Sequence, residues 1–215
     1  MIIRLIPILI VFALVLVGVN PSIADAKAIK VGILNYGPHP SLNAVVLGFK
    51  AGMAKRGYIE GGNIVYNYSH TSFKMSFLSQ GLAKIRAGRP DIVMTVTGQV
   101  SKPAKRIFAD AGVPLVFAAV TDPVTAGLTP SWTKGGANIT GTSDRHDMTS
   151  VLAFIRKLLP KARTIGIPFN PKDDGDTALI NKLGSIAAKH GFSIVTTAVE
   201  ITSNITTRIQ SLVGK

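Results

Sequence analysis

An α/β fold of two Rossmann-like lobes with parallel sheets, the second lobe incomplete, is predicted by three observations. Short apolar runs rich in β-branched residues alternate with stretches whose apolar residues recur at helical spacing, joined by short connections. The runs are apolar over their whole length, as strands covered on both faces are. The alternation breaks at a turn-rich stretch, 129–136, and after one short strand restarts as a second series that supplies only two strands before Lys215.

Each element has its own signal. Residues 29–34 (IKVGIL) read as a strand bounded by Gly37-Pro38. In 41–56, Leu42, Val45, Val46, Phe49 and Met53 repeat at helical spacing, with Ser41 as N-cap and Gly57 beyond the end. Residues 64–68 (IVYNY) form a second strand, and 77–87 a helix stopped by Gly88 and Pro90. A third strand is expected at 91–96. A helix at 101–111 follows, with Pro103 in its first turn and Gly112 after it. Residues 114–120 (PLVFAAV) are the fourth strand and 137–142 (ANITGT) a short fifth. The second series reads helix 147–159, strand 164–168, helix 177–190 closed by Gly191, strand 193–199 and helix 203–213. The lobe boundary is placed near 143–148. A lobe of two strands leaves sheet edges unpaired, so either further strands are missing or a partner supplies them.

Residues 1–26 carry one positive charge in the first four, an almost wholly apolar run from 5 to 19, and Ala24-Asp25-Ala26. These are the three parts of a secretory signal peptide. The run is about 15 residues and contains Pro7, short of the roughly 20 needed to span a bilayer. The expected organisation is signal peptide 1–26, first α/β lobe 27–145 and partial second lobe 146–215. The exported protein is expected to be free in a periplasm, with no stable membrane insertion after cleavage. The chain has no cysteine, which excludes disulfides, thiol catalysis and cysteine-ligated zinc. The net charge is +13, but the basic residues are dispersed along expected helices, so no nucleic-acid partner is expected.

In an open parallel sheet, ligands bind beyond the carboxyl ends of the strands, near the point where strand order reverses. Five strand ends here turn polar together. They are Asn35-Tyr36-Gly37-Pro38-His39-Pro40, Thr97-Gly98-Gln99, Thr121-Asp122-Pro123, Thr142-Ser143-Asp144 and Phe169-Asn170-Pro171. Each faces the start of a helix, whose free N–H groups favour a carboxylate. Ser101 and its neighbours at one helix start would hold a carboxylate, and Asp122 or Asp144 an ammonium. Tyr36 and Phe169 would add apolar surface. The set suits a small zwitterion. Taken singly, Thr121-Asp122-Pro123 reads as a turn with a local Asp cap, and Asn170-Pro171 as a turn dipeptide.

Enzyme signatures are missing: there is no G-x-S-x-G, no phosphate-binding G-x-x-x-x-G-K-[ST] and no G-x-G-x-x-G. His39, His70, His146 and His190 lack metal-ligand spacing. Asp173-Asp174-x-Asp176 resembles part of a calcium loop without its glutamate, and reads as a solvated loop before a helix. No metal, cofactor or catalytic residue is expected.

Four segments carry a resemblance. "KVGILNYGPHPSLNAVVLGFKAGMAKRGYIEGGNI" from Lys30, "PLVFAAVTDPVTAGL" from Pro114, "GANITGTSD" from Gly136 and "LLPKARTIGIPFNP" from Leu158 together resemble ABC transporter substrate-binding proteins, in the tryptophan/tyrosine-type subgroup. The resemblance implies a type I periplasmic-binding fold that closes by hinge motion on a small molecule, with an aromatic amino acid or related carboxylate as the expected class. It implies a monomer, partnered by permease subunits of an ABC importer. Carried over by position, His39, Pro40 and Leu42 would line the cleft from the first helix start. Thr97 would do so from the third strand, Thr121 and Asp122 from the fourth, Ser143 and Asp144 from the crossing, and Asn170 from the second lobe. The chain departs from the family at Gly98-Gln99-Val100 and at Pro168-Phe169. Family members also continue beyond "SLVGK" into further lobe-two strands, so the chain reads as C-terminally truncated. Two other readings stay open: a non-binding remnant, and an exported α/β enzyme using the same cleft.

Overall fold

A computed structural model describes residues 27–200 and 204–215. The expected signal peptide lies outside the described residues. Chain order is β1 (Ile29–Asn35), α1 (Pro40–Ala54), β2 (Ile64–His70), α2 (Leu78–Ala87), β3 (Ile92–Val96), α3 (Gly98–Ala104), β4 (Leu115–Ala118) and β5 (Ile139–Gly141). Then come α4 (Met148–Leu158), β6 (Thr164–Phe169), α5 (Asp174–Ile186), β7 (Ser193–Ala198) and α6 (Ile205–Gln210). Among the described residues no helix is long and apolar enough to cross a membrane.

The first sheet has the order β2-β1-β3-β4-β5, and all its pairs are parallel. Strand β1 therefore has β2 on one side and β3 on the other, and strand order reverses between β1 and β3. The second sheet is the parallel pair β6-β7, with Thr164 opposite Ser193.

Period-two alternation explains why β1, β3 and β4 are covered on both faces. Val31 and Ile33 of β1, Met94 and Val96 of β3 and Ala118 of β4 point into one core beneath α1, which adds Val46, Leu42, Val45 and Phe49. Leu34, Val93, Leu115 and Phe117 point the other way, onto Leu82 and Ile85 of α2, Val100 and Ala104 of α3, and Phe108. The second lobe has its own core, in which Met148 and Leu152 of α4 meet Leu183, Ala187 and Phe192.

The structure corrects several sequence boundaries. His39, not Ser41, caps α1: its Nδ1 accepts the Ser41 N–H at 3.3 Å, and Pro40 takes the first helical position. Helix α3 starts at Gly98, three residues before the expected start, so Pro103 sits in its interior. A proline there cannot donate to the carbonyl four residues back. The chain continues as a π-helical stretch, Lys105–Ala109, with Asp110 N–H bonded to Lys105 O at 3.0 Å. Helix α5 starts at Asp174 rather than 177. Asp173 caps it by accepting the Asp176 N–H at 3.0 Å, and Asp174 and Asp176 lie in its first turn, where the helix dipole favours carboxylates. The acidic run expected as a solvated loop is thus a helix start. Gly191 ends the last turn of that segment at φ 73°.

Gly141 of β5 has no room for a side chain, since a Cβ would lie 2.1 Å from the Phe117 carbonyl oxygen. Gly141→Ala must push β5 away from β4 and should cost about 1–3 kcal/mol, the usual cost of overpacking, read as a lower urea midpoint with unchanged slope.

Candidate functional site

The strand-end residues divide into those that face the crevice between the lobes and those used to build the fold. Thr97 follows β3 with φ 81° and ψ 156°, a region that side chains other than glycine rarely enter. Its N–H donates to Ala118 O at 3.0 Å, and its Oγ1 is buried with no protein partner. Its carbonyl is held by Ser101, whose hydroxyl lies 2.6 Å from Thr97 O and 2.8 Å from Thr95 Oγ1. Ser101 is fully buried. Both hydroxyl contacts are internal, so in this structure Ser101 props the turn after β3.

Leu42 likewise packs against the core beneath α1. His39 and Pro40 are exposed, and the His39 ring nitrogen is engaged in capping α1.

Thr121, Asp122, Ser143 and Asp144 do come together. Thr121 Oγ1 donates to Asp144 Oδ1 at 3.1 Å, and Ser143 Oγ donates to Thr121 O at 3.0 Å. The end of β4 is thereby tied to the segment that leaves β5 for the second lobe. Asp122 is a local cap: its Oδ1 accepts the N–H groups of Val124 at 3.1 Å and Thr125 at 2.9 Å. Its two backbone bonds both fall on Oδ1. Asn170 enters from β6. Its side-chain oxygen accepts the Lys172 N–H at 3.0 Å, and its own N–H donates to Asp176 Oδ2 at 2.8 Å.

Thr121, Asp122, Asp144, Arg145, His146 and Asp176 line one cavity of about 120 Å³, floored by Met148 and Leu179. It lies where the two lobes meet. Gly175 packs so close that a Cβ would sit 3.1 Å from the Thr121 Cβ.

Sequence reasoning missed four residues that also span this junction. The Gln99 side-chain amide donates to Asp173, and Lys102 Nζ approaches Asp174 Oδ2 at 2.6 Å. Both acids belong to the start of α5. An N-cap aspartate followed by acidic residues in the next turn was the available signal.

Burial, reinforced by the Asp173 carboxylate, raises the Tyr36 hydroxyl above its ordinary value. Asp176 is also raised. Burial is the main cause and Asp173 adds to it, against the lowering effect of the Asn170 N–H. Among the described residues, no group of three or more histidines, aspartates or glutamates could hold a metal ion.

Two parallel sheets thus present their carboxyl ends to a shared crevice. The model of the ABC transporter substrate binding protein family matches residues 30–215. The chain belongs to that family. It is 29% identical over 196 residues to a tyrosine-binding protein of Clostridioides difficile, covering 91% of this chain and 56% of that one. Its fold matches the ABC domain in complex with L-Trp from Streptococcus pneumonia at TM-score 0.81 and 26% identity, covering 88% of this chain and 63% of that one. A conserved domain protein from Vibrio cholerae matches at TM-score 0.80 and 28% identity, with 86% and 62% covered. The architecture is the α/β fold of type I periplasmic binding proteins. The chain spans 56% to 63% of the lengths of these relatives.

Two expectations follow from the family member's geometry. Thr97→Gly relieves backbone strain of about 1–3 kcal/mol and gives back about 0.5–1 kcal/mol in chain entropy, so the variant should unfold at higher urea. The raised Asp176 gives a slope with pH. A carboxyl whose folded pKa exceeds its unfolded value of 3.8 contributes stability that is present below 3.8 and lost as pH rises through the folded value. Stability measured upward from pH 3.8 should therefore fall less steeply in Asp176→Asn than in the native chain.

Proposed function

We propose that this chain is the solute-binding part of an ABC importer. It takes a small zwitterion, an aromatic amino acid or related carboxylate, between lobes 27–145 and 146–215, and presents it to permease subunits. It performs no covalent chemistry and works as a monomer outside the cytoplasm, exported by the signal peptide of residues 1–26. The observation that carries the reading is the convergence of the β4 and β5 ends with the start of α5: Thr121, Asp144 and Asp176 share one cavity at the lobe junction. Family membership and the relatives' amino-acid ligands support the solute class.

The roles within the crevice follow from its chemistry. Asp144 and the second oxygen of Asp122 suit an ammonium group, since each keeps acceptor capacity after its internal bonds. The buried Thr97 hydroxyl, without a protein partner, suits a polar group delivered by the solute. Tyr36 and Phe169 supply apolar surface at the ends of β1 and β6. A bound solute draws the lobes onto itself in a form less tightly shut than this one, and its greater affinity for that form drives the shift.

Thermal-shift titration with L-tryptophan, L-tyrosine and other small carboxylates tests the proposal. A true ligand at about a hundred times its Kd should add about 2.7 kcal/mol to the stability of the native state and raise Tm accordingly. Asp144→Ala should weaken that shift while leaving the uncomplexed Tm nearly unchanged, because Asp144 is exposed. If no amino acid or small carboxylate moves Tm, the solute-binding reading fails.

A further inference from the structure

The contacts across the crevice are made by protein groups of the two lobes themselves. From the first lobe, Gln99 and Lys102 lie on successive turns of α3. From the second, Asp173 caps α5 and Asp174 opens it. The Gln99 amide meets Asp173 Oδ2, and Lys102 Nζ lies 2.6 Å from Asp174 Oδ2. Gly175 packs directly against Thr121. The cavity left between them is about 120 Å³, whereas pockets for small molecules run from about 300 to 1,000 Å³. An amino acid with an aromatic side chain does not fit in that space. The lobes therefore have to part before a solute can enter, and the bonds that must break are these two.

We propose that Gln99–Asp173 and Lys102–Asp174 form a lobe-to-lobe latch that holds the crevice shut against itself. The latch competes with solute. It lowers the fraction of molecules open to binding, and apparent affinity falls by that fraction. The latch is partly ionic. Its two charged side chains keep 57% and 39% of their surface exposed, so salt reaches the pair and screens it. Asp173 is the better-shielded half. Its other oxygen, Oδ1, is fixed by the Asp176 N–H, which orients the carboxylate toward Gln99 and limits its freedom to swing away.

The latch rests on the solute-binding reading only in its effect on affinity, so it is tested in two parts. The chain has no cysteine, so Lys55→Cys and Lys189→Cys place a single pair of spin labels on exposed positions, one in each lobe. With no solute added, pulsed dipolar distances should show a dominant short population in the otherwise native chain. Gln99→Ala with Lys102→Ala should move most of that population to longer distances, as should roughly 1 M salt, where the Debye length shrinks to about 3 Å. Lys102→Glu should do the same, and adding Asp174→Lys should restore the short distance. An identical distribution in the native and variant chains overturns the latch, as does failure of the charge swap to restore it. In the second part, L-tyrosine titrated calorimetrically should bind the Gln99→Ala, Lys102→Ala chain roughly fivefold more tightly than the native chain. Equal or weaker binding overturns the competition. If no chain binds L-tyrosine, the solute reading is at fault, and the distance measurement still decides the latch.

Discussion

Parallel pairing is the constraint on which the rest of this molecule depends. Every strand of the first sheet runs the same way, from Ile29 opposite Ile64 to Phe117 opposite Gly141. All five therefore end on one rim, and each hands the chain to a segment that starts there. Because β2 and β3 flank β1 on opposite sides, the following segments diverge and leave a gap between them. The gap requires no special residue. It follows from right-handed crossovers that first turn one way and then the other.

The buried polar groups mark where the apolar core gives way to that rim. Asn35, Thr71, Thr95 and Ser101 are fully buried. Asn35 Nδ2 donates to Tyr68 OH at 3.2 Å, and Thr71 Oγ1 donates to Tyr36 O at 2.6 Å. Thr95 meets Ser101. All three bonds lie within two residues of a strand end: two join side chains, and Thr71 adds a bond to the Tyr36 carbonyl, which also accepts the Phe73 N–H. The strain at Thr97 belongs to the same transition. Ala118 O, Ser101 Oγ and the first turn of α3 together hold a β-branched residue in a conformation it would not adopt alone.

The fold was legible because both of its signals are local. Full-length apolar strands such as IVMTV admit no solvated face, and helical spacing in α1 and α4 identifies the layers that cover them. The rim was legible as a set of segments but not as side-chain roles. Ser101 looks like a helix-start donor in the sequence, yet the helix begins three residues earlier and buries it. Leu42 shares the spacing of Val45, Val46 and Phe49, which already marked it as a core residue. The Gln99, Lys102, Asp173 and Asp174 contacts were illegible for a different reason. They join positions more than 70 residues apart, and no local pattern encodes which helix start faces which.

The distribution of charge ties these points together. The chain carries +13 overall, yet Asp122, Asp144, Asp173, Asp174 and Asp176 all gather around the lobe junction. Two of them cap turns or helices, and two more lie in the first turn of α5, so local backbone demands place four of the five. Helix starts need acceptors, parallel sheets bring helix starts to one rim, and the rim gathers carboxylates, set among Arg145, Lys182 and Lys102. The same carboxylates act on nearby protons: burial first, with Asp173 adding to it, raises Tyr36 and Asp176 above their ordinary values. A net charge averaged over the surface therefore says little about the crevice. The potential a solute meets there is set by the caps that the topology required.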